Sequence, residues 1–257
     1  MLEIRHQAVH DGQSIQDAYD DFFQESVIQM RDSFYLWIID LLQPEPGSTL
    51  LDVACAHGRL VELAKAQGIN AMGLDLSFTG LQRGAQGTPD AGWVVANGRA
   101  IPMPDASIDY ITNIGSLEHY DEPVDGVREI ARVLKPAGRA AILLPNAFGL
   151  LGNIRHVRRT GEVFDDRQPL QRYATRDTWE AMLQAGGLEI LRMVPWGEVN
   201  HPRTPEDRRY TWAHPQKLLR AALAMVTPPN LANHFIFICR RAEDGPDVSY
   251  YPLLPYT

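Results

Sequence analysis

Asp52 and Asp75 are the two residues of this chain best placed to do chemistry. Each stands at the end of an apolar stretch, Thr49–Val53 and Ala71–Asp75. After Asp52 the chain breaks into small residues, Val53-Ala54-Cys55-Ala56-His57-Gly58. It then resumes as a helix pattern with Leu60, Val61, Leu63 and Ala64. Strand, tight turn and helix in that order let backbone N–H groups approach a ligand closely, and the helix N-terminus favours negative charge. In a doubly wound sheet, an acid at the tip of the next strand binds a ribose diol. Two acids so placed imply a cofactor that carries a nucleoside.

Elements able to hold these groups can be read on both sides of them. Apolar runs predict strands at 49–54, 70–75, 92–95, 108–113 and 139–145, and helical spacing predicts helices at 58–67, 78–84 and 123–134. Gly68 suits a C-cap for the first crossover helix. Strand and helix in alternation point to a parallel sheet covered on both faces. Before this core, residues 14–42 read as helical, with Tyr19, Phe22, Phe23, Val27 and Met30 at helix-like spacing and Pro44, Pro46 and Gly47 as the stop. After it, residues 146–173 have weak periodicity and read as a surface insertion. Residues 175–186 read as a helix with Thr175 as N-cap. A strand at 188–195, a polar Pro-rich stretch at 201–214, an apolar helix at 216–226, a strand at 234–239 and an extended tail follow.

Bulk properties remove several classes. A net charge of -8 argues against a general nucleic-acid binder, which is ordinarily basic. Cys55 and Cys239 lie far apart and form no metal-ligand pattern, so a reduced, cytoplasmic protein is expected. The N-terminal residues lack a secretory layout, and the apolar runs Phe34–Leu42 and Ala140–Pro145 are too short to span a bilayer, so no membrane partner is expected.

Three blocks in order resemble the class I S-adenosylmethionine-dependent methyltransferases, in particular the small-molecule group. They are Leu51-Asp52-Val-Ala-Cys-Ala-His-Gly58, which is similar to the family's D-x-G-x-G-x-G loop; Gly73-Leu-Asp-Leu-Ser77; and Ile101-Pro-Met-Pro-Asp-Ala-Ser-Ile-Asp109, followed by Ser116-Leu-Glu-His119 and Arg128 to Gly138. The resemblance runs from about Thr49 to Asn146, and more weakly to Arg240. It implies an α/β, Rossmann-like, doubly wound, seven-stranded mixed sheet with helices on both faces and an antiparallel last strand. One domain over 1–257 is expected: a helical cap at 1–47, a cofactor core at 48–145, an acceptor-side insertion at 146–174, the remaining sheet at 175–241 and a tail at 242–257.

The resemblance also implies a site for S-adenosyl-L-methionine. Asp52, Val53, Ala54, Cys55, Ala56 and Gly58 form the turn at its methionine end. Asp75 takes the ribose hydroxyls, and Leu76 presses on the adenine. Asn97, with Gly98 beside it, meets the adenine amino group; Asn113, Ile114 and Gly115 line the methionine part, and Tyr19 closes over it. Two loop glycines are replaced by Ala54 and Ala56. A negative φ would make this harmless, whereas a positive φ would strain the turn and bring a methyl to the ligand. These replacements motivate a second reading, a catalytically inactive binding or interaction protein on the same fold. A nicotinamide dehydrogenase fits less well, because Ala54-Cys-Ala-His-Gly-Arg lacks the G-x-G-x-x-G spacing.

Methyl transfer from a sulfonium is a direct displacement, so positioning and exclusion of water dominate. His119 is the candidate catalytic base; the plainer reading is that Glu118 and His119 brace a turn. Some quinone-pathway relatives bind a metal through a Glu followed by Glu-His, but Gly115 stands where the first Glu would be, so no metal is expected. His57 is expected to face solvent. Arg155, His156, Arg158 and Arg159 form either a solvated surface or a clamp for an anionic small-molecule acceptor.

Overall fold

The computed structural model describes residues 1–6, 15–25, 29–197, 201–243 and 245. In chain order it contains β1 (Leu2–Arg5), α1 (Ile15–Glu25), α2 (Asp32–Leu42), β2 (Thr49–Val53), α3 (Arg59–Lys65), β3 (Asn70–Asp75), α4 (Phe78–Gly87) and β4 (Gly92–Val95). Then come β5 (Ile108–Ile114), α5 (Pro123–Val133), β6 (Leu134–Pro145), α6 (Arg155–Thr160), β7 (Leu170–Tyr173) and α7 (Arg176–Ala185). The last four are β8 (Leu188–Trp196), α8 (Pro205–Ala213), α9 (Pro215–Val226) and β9 (His234–Arg241).

Seven strands form one mixed sheet in the order β4-β3-β2-β5-β6-β9-β8. The first five are parallel, and β9 runs antiparallel to both β6 and β8. The order reverses between β2 and β5, and a sheet of this kind opens a ligand crevice beyond the carboxyl ends of its strands at that point.

Side-chain alternation explains why both faces are covered. On β9, Phe235, Phe237 and Cys239 join the core under α5 and α7, which brings in Val127, Ile130, Trp179 and Met182. Ile236 and Ile238 point the other way, into the core shared with Phe34 and Ile38 of α2 and Leu60 and Val61 of α3. A strand apolar on both sides belongs inside a sheet with helices above and below.

Several elements differ from the sequence reading. The expected helix over 14–42 is two helices, because α2 starts afresh after Arg31, whose backbone is extended. The cause is remote: the Asp207 carboxylate accepts hydrogen bonds from Ser33 N at 2.9 Å and from Ser33 Oγ, capping α2 from another helix. Val27 and the side chain of Phe22 lie outside the described residues. Residues 205–213 are helical rather than irregular, with Thr204 accepting from Asp207 N at 3.1 Å and Pro205 in the first turn. Strand β6 begins at Leu134 rather than at 139, and Lys135–Gly138 form a bulge opposite Asp109 within that strand. In the insertion, β7 pairs antiparallel with β1, and buried Arg172 fastens the pair by donating to Glu3 Oε2 at 2.8 Å and to the carbonyls of Tyr120 and Asp121.

Candidate functional site

Five strand ends converge on a cavity of about 630 Å³. That volume falls in the range of small-molecule sites, roughly 300–1,000 Å³. Asp52, at the end of β2, is buried and accepts a 2.6 Å hydrogen bond from Thr112 Oγ1. Burial, with the charge of Asp75 nearby, pushes its carboxyl up to about 7. Asp75 ends β3. Its Oδ2 accepts from Ala56 N at 2.7 Å and its Oδ1 from Ser77 N at 2.8 Å. Burial raises this carboxyl as well, against the pull of those N–H groups. Asp75 thus anchors the turn after β2 from the neighbouring strand, and each oxygen retains acceptor capacity toward the cavity.

The turn itself is strained where the sequence warned of it. Ala54 has φ 60° and Ala56 has φ 49°, the left-handed region that favours glycine. Both line the cavity, with Cys55 between them. Gly58 also has a positive φ, but its role is different. A Cβ there would lie 2.1 Å from the Trp93 ring, which fills a slot also bounded by Gly73 and Gly84. Gly58 therefore serves the packing behind the turn.

Of the residues expected at a cofactor, Tyr19, Asp52, Ala54, Cys55, Ala56, Asp75, Leu76, Asn97, Gly98, Ile114 and Gly115 line the cavity together with His119. Val53, Gly58 and Asn113 do not: Val53 lies in the core, and Asn113 is buried behind the wall, where its Nδ2 donates to Val53 O at 3.2 Å. Asn97 spends one lone pair on Arg99 N at 2.9 Å. His57, expected in solvent, instead meets the edge of Phe23 with ring centroids 5.4 Å apart and lines the same space. The helix α1 covers this side. Asp20 accepts from Ser77 Oγ and, at 3.0 Å, from Thr79 N at the start of α4, so Tyr19 is held over the cavity.

Beyond Gly115 the cavity becomes chemically richer. The His119 side chain is buried; its Nδ1 lies 2.5 Å from Leu170 O, which as an acceptor requires that nitrogen to carry the hydrogen. Nε2 is left with the lone pair, 3.9 Å from both Glu118 Oε1 and Asp166 Oδ2. Burial lowers the imidazole pKa, so the neutral base form is favoured. Burial pushes Glu118 up to about 8, with Asp166 adding to the shift, and its buried Oε2 has no hydrogen-bond partner. Sequence reading gave Glu118 only the part of a turn brace beside His119 or of a Glu-His metal pair, and gave no role to Asp166 or to Gln171, whose Oε1 is also buried and unpartnered. Arg155, His156 and Arg159 face the cavity; exposed Arg158 does not. Among the described residues, no cluster of three His, Cys, Asp or Glu could hold a metal ion.

Comparison with known proteins adds four findings. A family profile described as a methyltransferase domain matches residues 51–142. The chain is 26% identical over 193 residues to the 27-O-demethylrifamycin SV methyltransferase of Amycolatopsis mediterranei, covering 69% of this chain and 67% of that one. It is 33% identical over 126 residues to a ubiquinone/menaquinone biosynthesis C-methyltransferase of Cereibacter sphaeroides, covering 43% of this chain and 50% of that one. The chain thus spans about two thirds of one curated relative and half of the other. Among solved structures, phosphoethanolamine N-methyltransferase 2 of Haemonchus contortus, in complex with S-adenosyl-L-methionine, has the same fold. Its TM-score is 0.62 at 16% identity, covering 91% of this chain and 61% of that one.

Proposed function

This chain belongs to the class I S-adenosylmethionine-dependent methyltransferases, with S-adenosylmethionine as cofactor, and from that premise we propose that it transfers the methyl group to an oxygen or nitrogen of a small-molecule acceptor. The observation that carries the reading is one cavity with two ends. At one end are Asp52, Asp75 and the turn joined by the hydrogen bond from Ala56 N to Asp75. At the other is His119, whose Nδ1 contact leaves Nε2 as a lone-pair acceptor.

In this reading Asp75 accepts hydrogen bonds from the ribose hydroxyls, and Asp52 lies toward the methionine end. Leu76, Asn97 and Gly98 meet the adenine, while Ile114, Gly115 and Tyr19 enclose the methionine part. The cofactor supplies an electrophilic methyl on a sulfonium. The protein's part is to align the acceptor atom, exclude water and take a proton. His119 Nε2 is the proposed base, and the neighbouring carboxyls of Glu118 and Asp166 would stabilise the imidazolium it becomes. Arg155 and Arg159 support an anionic acceptor, because guanidinium groups in a cavity wall pair with planar anions. The free thiols of Cys55 and Cys239 are in keeping with a cytoplasmic setting.

Calorimetric titration with S-adenosylmethionine tests the cofactor end. Saturable binding is expected, weakened about tenfold or more by Asp75→Ala through loss of charge-assisted hydrogen bonds. An unaltered Kd for that variant would show the ribose to lie elsewhere. For the acceptor end, Arg155→Ala with Arg159→Ala is expected to raise acceptor KM far more than cofactor Kd.

A further inference from the structure

Helix α9 is built with its greasy side outward. Lys217, Arg220, Ala221 and Ala224 are half-buried on its inner face, while Leu218, Leu219, Leu223, Met225 and Val226 are exposed on its outer face. The exposures are large: 65% for Leu219, 87% for Met225 and 77% for Val226. Inner contacts fix this orientation, because Arg220 Nη2 donates to Leu151 O at 3.2 Å and Ala224 sits against Gly197. Trp212, at the end of α8, adds an aromatic side chain that is 79% exposed. Across the Arg220–Leu151 link, Phe148, Ile154 and Val157 are exposed as well. A contiguous exposed apolar patch of this kind marks a contact surface.

Charge indicates what covers it. Residues 147–161 and 208–228 together carry seven arginines and lysines and no acid, on a chain of net charge -8. Basic residues beside exposed Leu and Trp on a helix are the composition of an interfacial helix that lies in the plane of a lipid surface. A second copy of the chain fits less well, since a two-fold contact would set this basic patch against itself.

We propose that α9, the end of α8 and the first part of the insertion form a docking surface for a bilayer bearing anionic lipid. Outer-face side chains enter the headgroup boundary, and exposed Arg208 and Arg209 lie over lipid phosphates. No helix of the described residues is long and apolar enough to cross a membrane, so the contact is peripheral. This revises the expectation of no membrane partner. Because Arg155, Arg159 and Arg220 line the cavity and belong to these same segments, the cavity opens beside the lipid. If the proposed function holds, its acceptor enters from the membrane face.

Co-sedimentation of the full chain with vesicles tests the surface without any turnover. Binding is expected to phosphatidylcholine vesicles containing phosphatidylglycerol, to fall steeply as salt is raised, and to be weak on phosphatidylcholine alone. Leu219→Asp with Met225→Asp should lower vesicle affinity about tenfold or more, and so should Arg208→Glu with Arg209→Glu. Both double variants should bind S-adenosylmethionine as the wild type does, which separates loss of the surface from loss of the fold. No binding to anionic vesicles overturns the proposal. So does a dimer in sedimentation that Leu219→Asp with Met225→Asp converts to monomer while vesicle binding is absent. Failure to bind S-adenosylmethionine in the wild type would sink the proposed function and leave the vesicle result to stand alone.

Discussion

Ala54 and Ala56 hold backbone angles that an L side chain resists, and each places a methyl on the cavity wall. Glycine at 56 would relieve a left-handed strain of about 1–2 kcal/mol. It would also return about 0.4–1 kcal/mol of freedom to the unfolded chain. Stability should therefore rise only slightly, while removal of the methyl should tighten S-adenosylmethionine binding severalfold in calorimetry. An unchanged Kd would mean that the methyl does not face the ligand. Glu118 makes a different prediction. Its carboxyl titrates near 8 in the fold, against about 4.3 when unfolded, so the folded state holds the proton more tightly. Its contribution is fully present below about pH 4 and is lost as pH rises toward 8, where a buried unpaired charge appears. Glu118→Gln stays neutral and keeps the shape. It should match the wild type at pH 4 and exceed it at pH 8.5, by on the order of 2 kcal/mol or about 4–8 °C in Tm. A Tm difference that is the same at both pH values would place a partner on Oε2.

At the scale of elements, Asp207 shows how a helix start can be set from far away. It is buried, and despite that burial the hydrogen bonds from Ser33, Arg31 and Thr204 hold its carboxyl below the usual range. Asp207→Ala removes the cap of α2 and strands Ser33 N, a loss on the order of 2–3 kcal/mol. Tm should fall by about 5–10 °C. Cofactor binding should weaken with it, since α2 carries Tyr35 to the cavity wall. A Tm within a degree of wild type would show that α2 needs no such cap. The same contact explains what the sequence could and could not reveal. Strands β2 to β5 were legible because apolar runs and turn residues are local signals. The break before α2 and the β1–β7 pair were not, because their determinants, Asp207 with Ser33 and Arg172 with Glu3, are far apart in the chain. Helix α8 was readable in principle from Thr204-Pro205-Glu206-Asp207, a cap followed by a first-turn proline and two acids. Its polar composition hid it. At the site, Asp52, Asp75 and His119 could be read because each follows a strand signal. Glu118 and Asp166 gain their meaning only from burial and mutual approach, which no spacing records.

For the molecule as a whole, charge and cofactor are linked. Three acids face one cavity with raised carboxyl pKa values: Asp52 up to about 7, Glu118 up to about 8 and Asp75 in the same direction, all chiefly from burial. A cation entering that cavity favours their ionised forms and lowers those values in the complex. Binding therefore releases protons, and affinity must rise with pH through the window between about 6 and 8 and level off above it. S-adenosylmethionine brings a sulfonium, whereas S-adenosylhomocysteine has a neutral sulfur at the same place. The two should respond differently: Kd for S-adenosylmethionine should fall about tenfold from pH 6 to 8.5, and Kd for S-adenosylhomocysteine by much less. Calorimetry in buffers of different ionisation enthalpy measures the proton release directly. The proposed placement requires more protons released with the sulfonium than without it. Equal slopes for the two ligands would put the sulfonium out of reach of Asp52 and Glu118, and the methyl with it. His119 would then lie too far from the reacting carbon to accept a proton as the methyl moves.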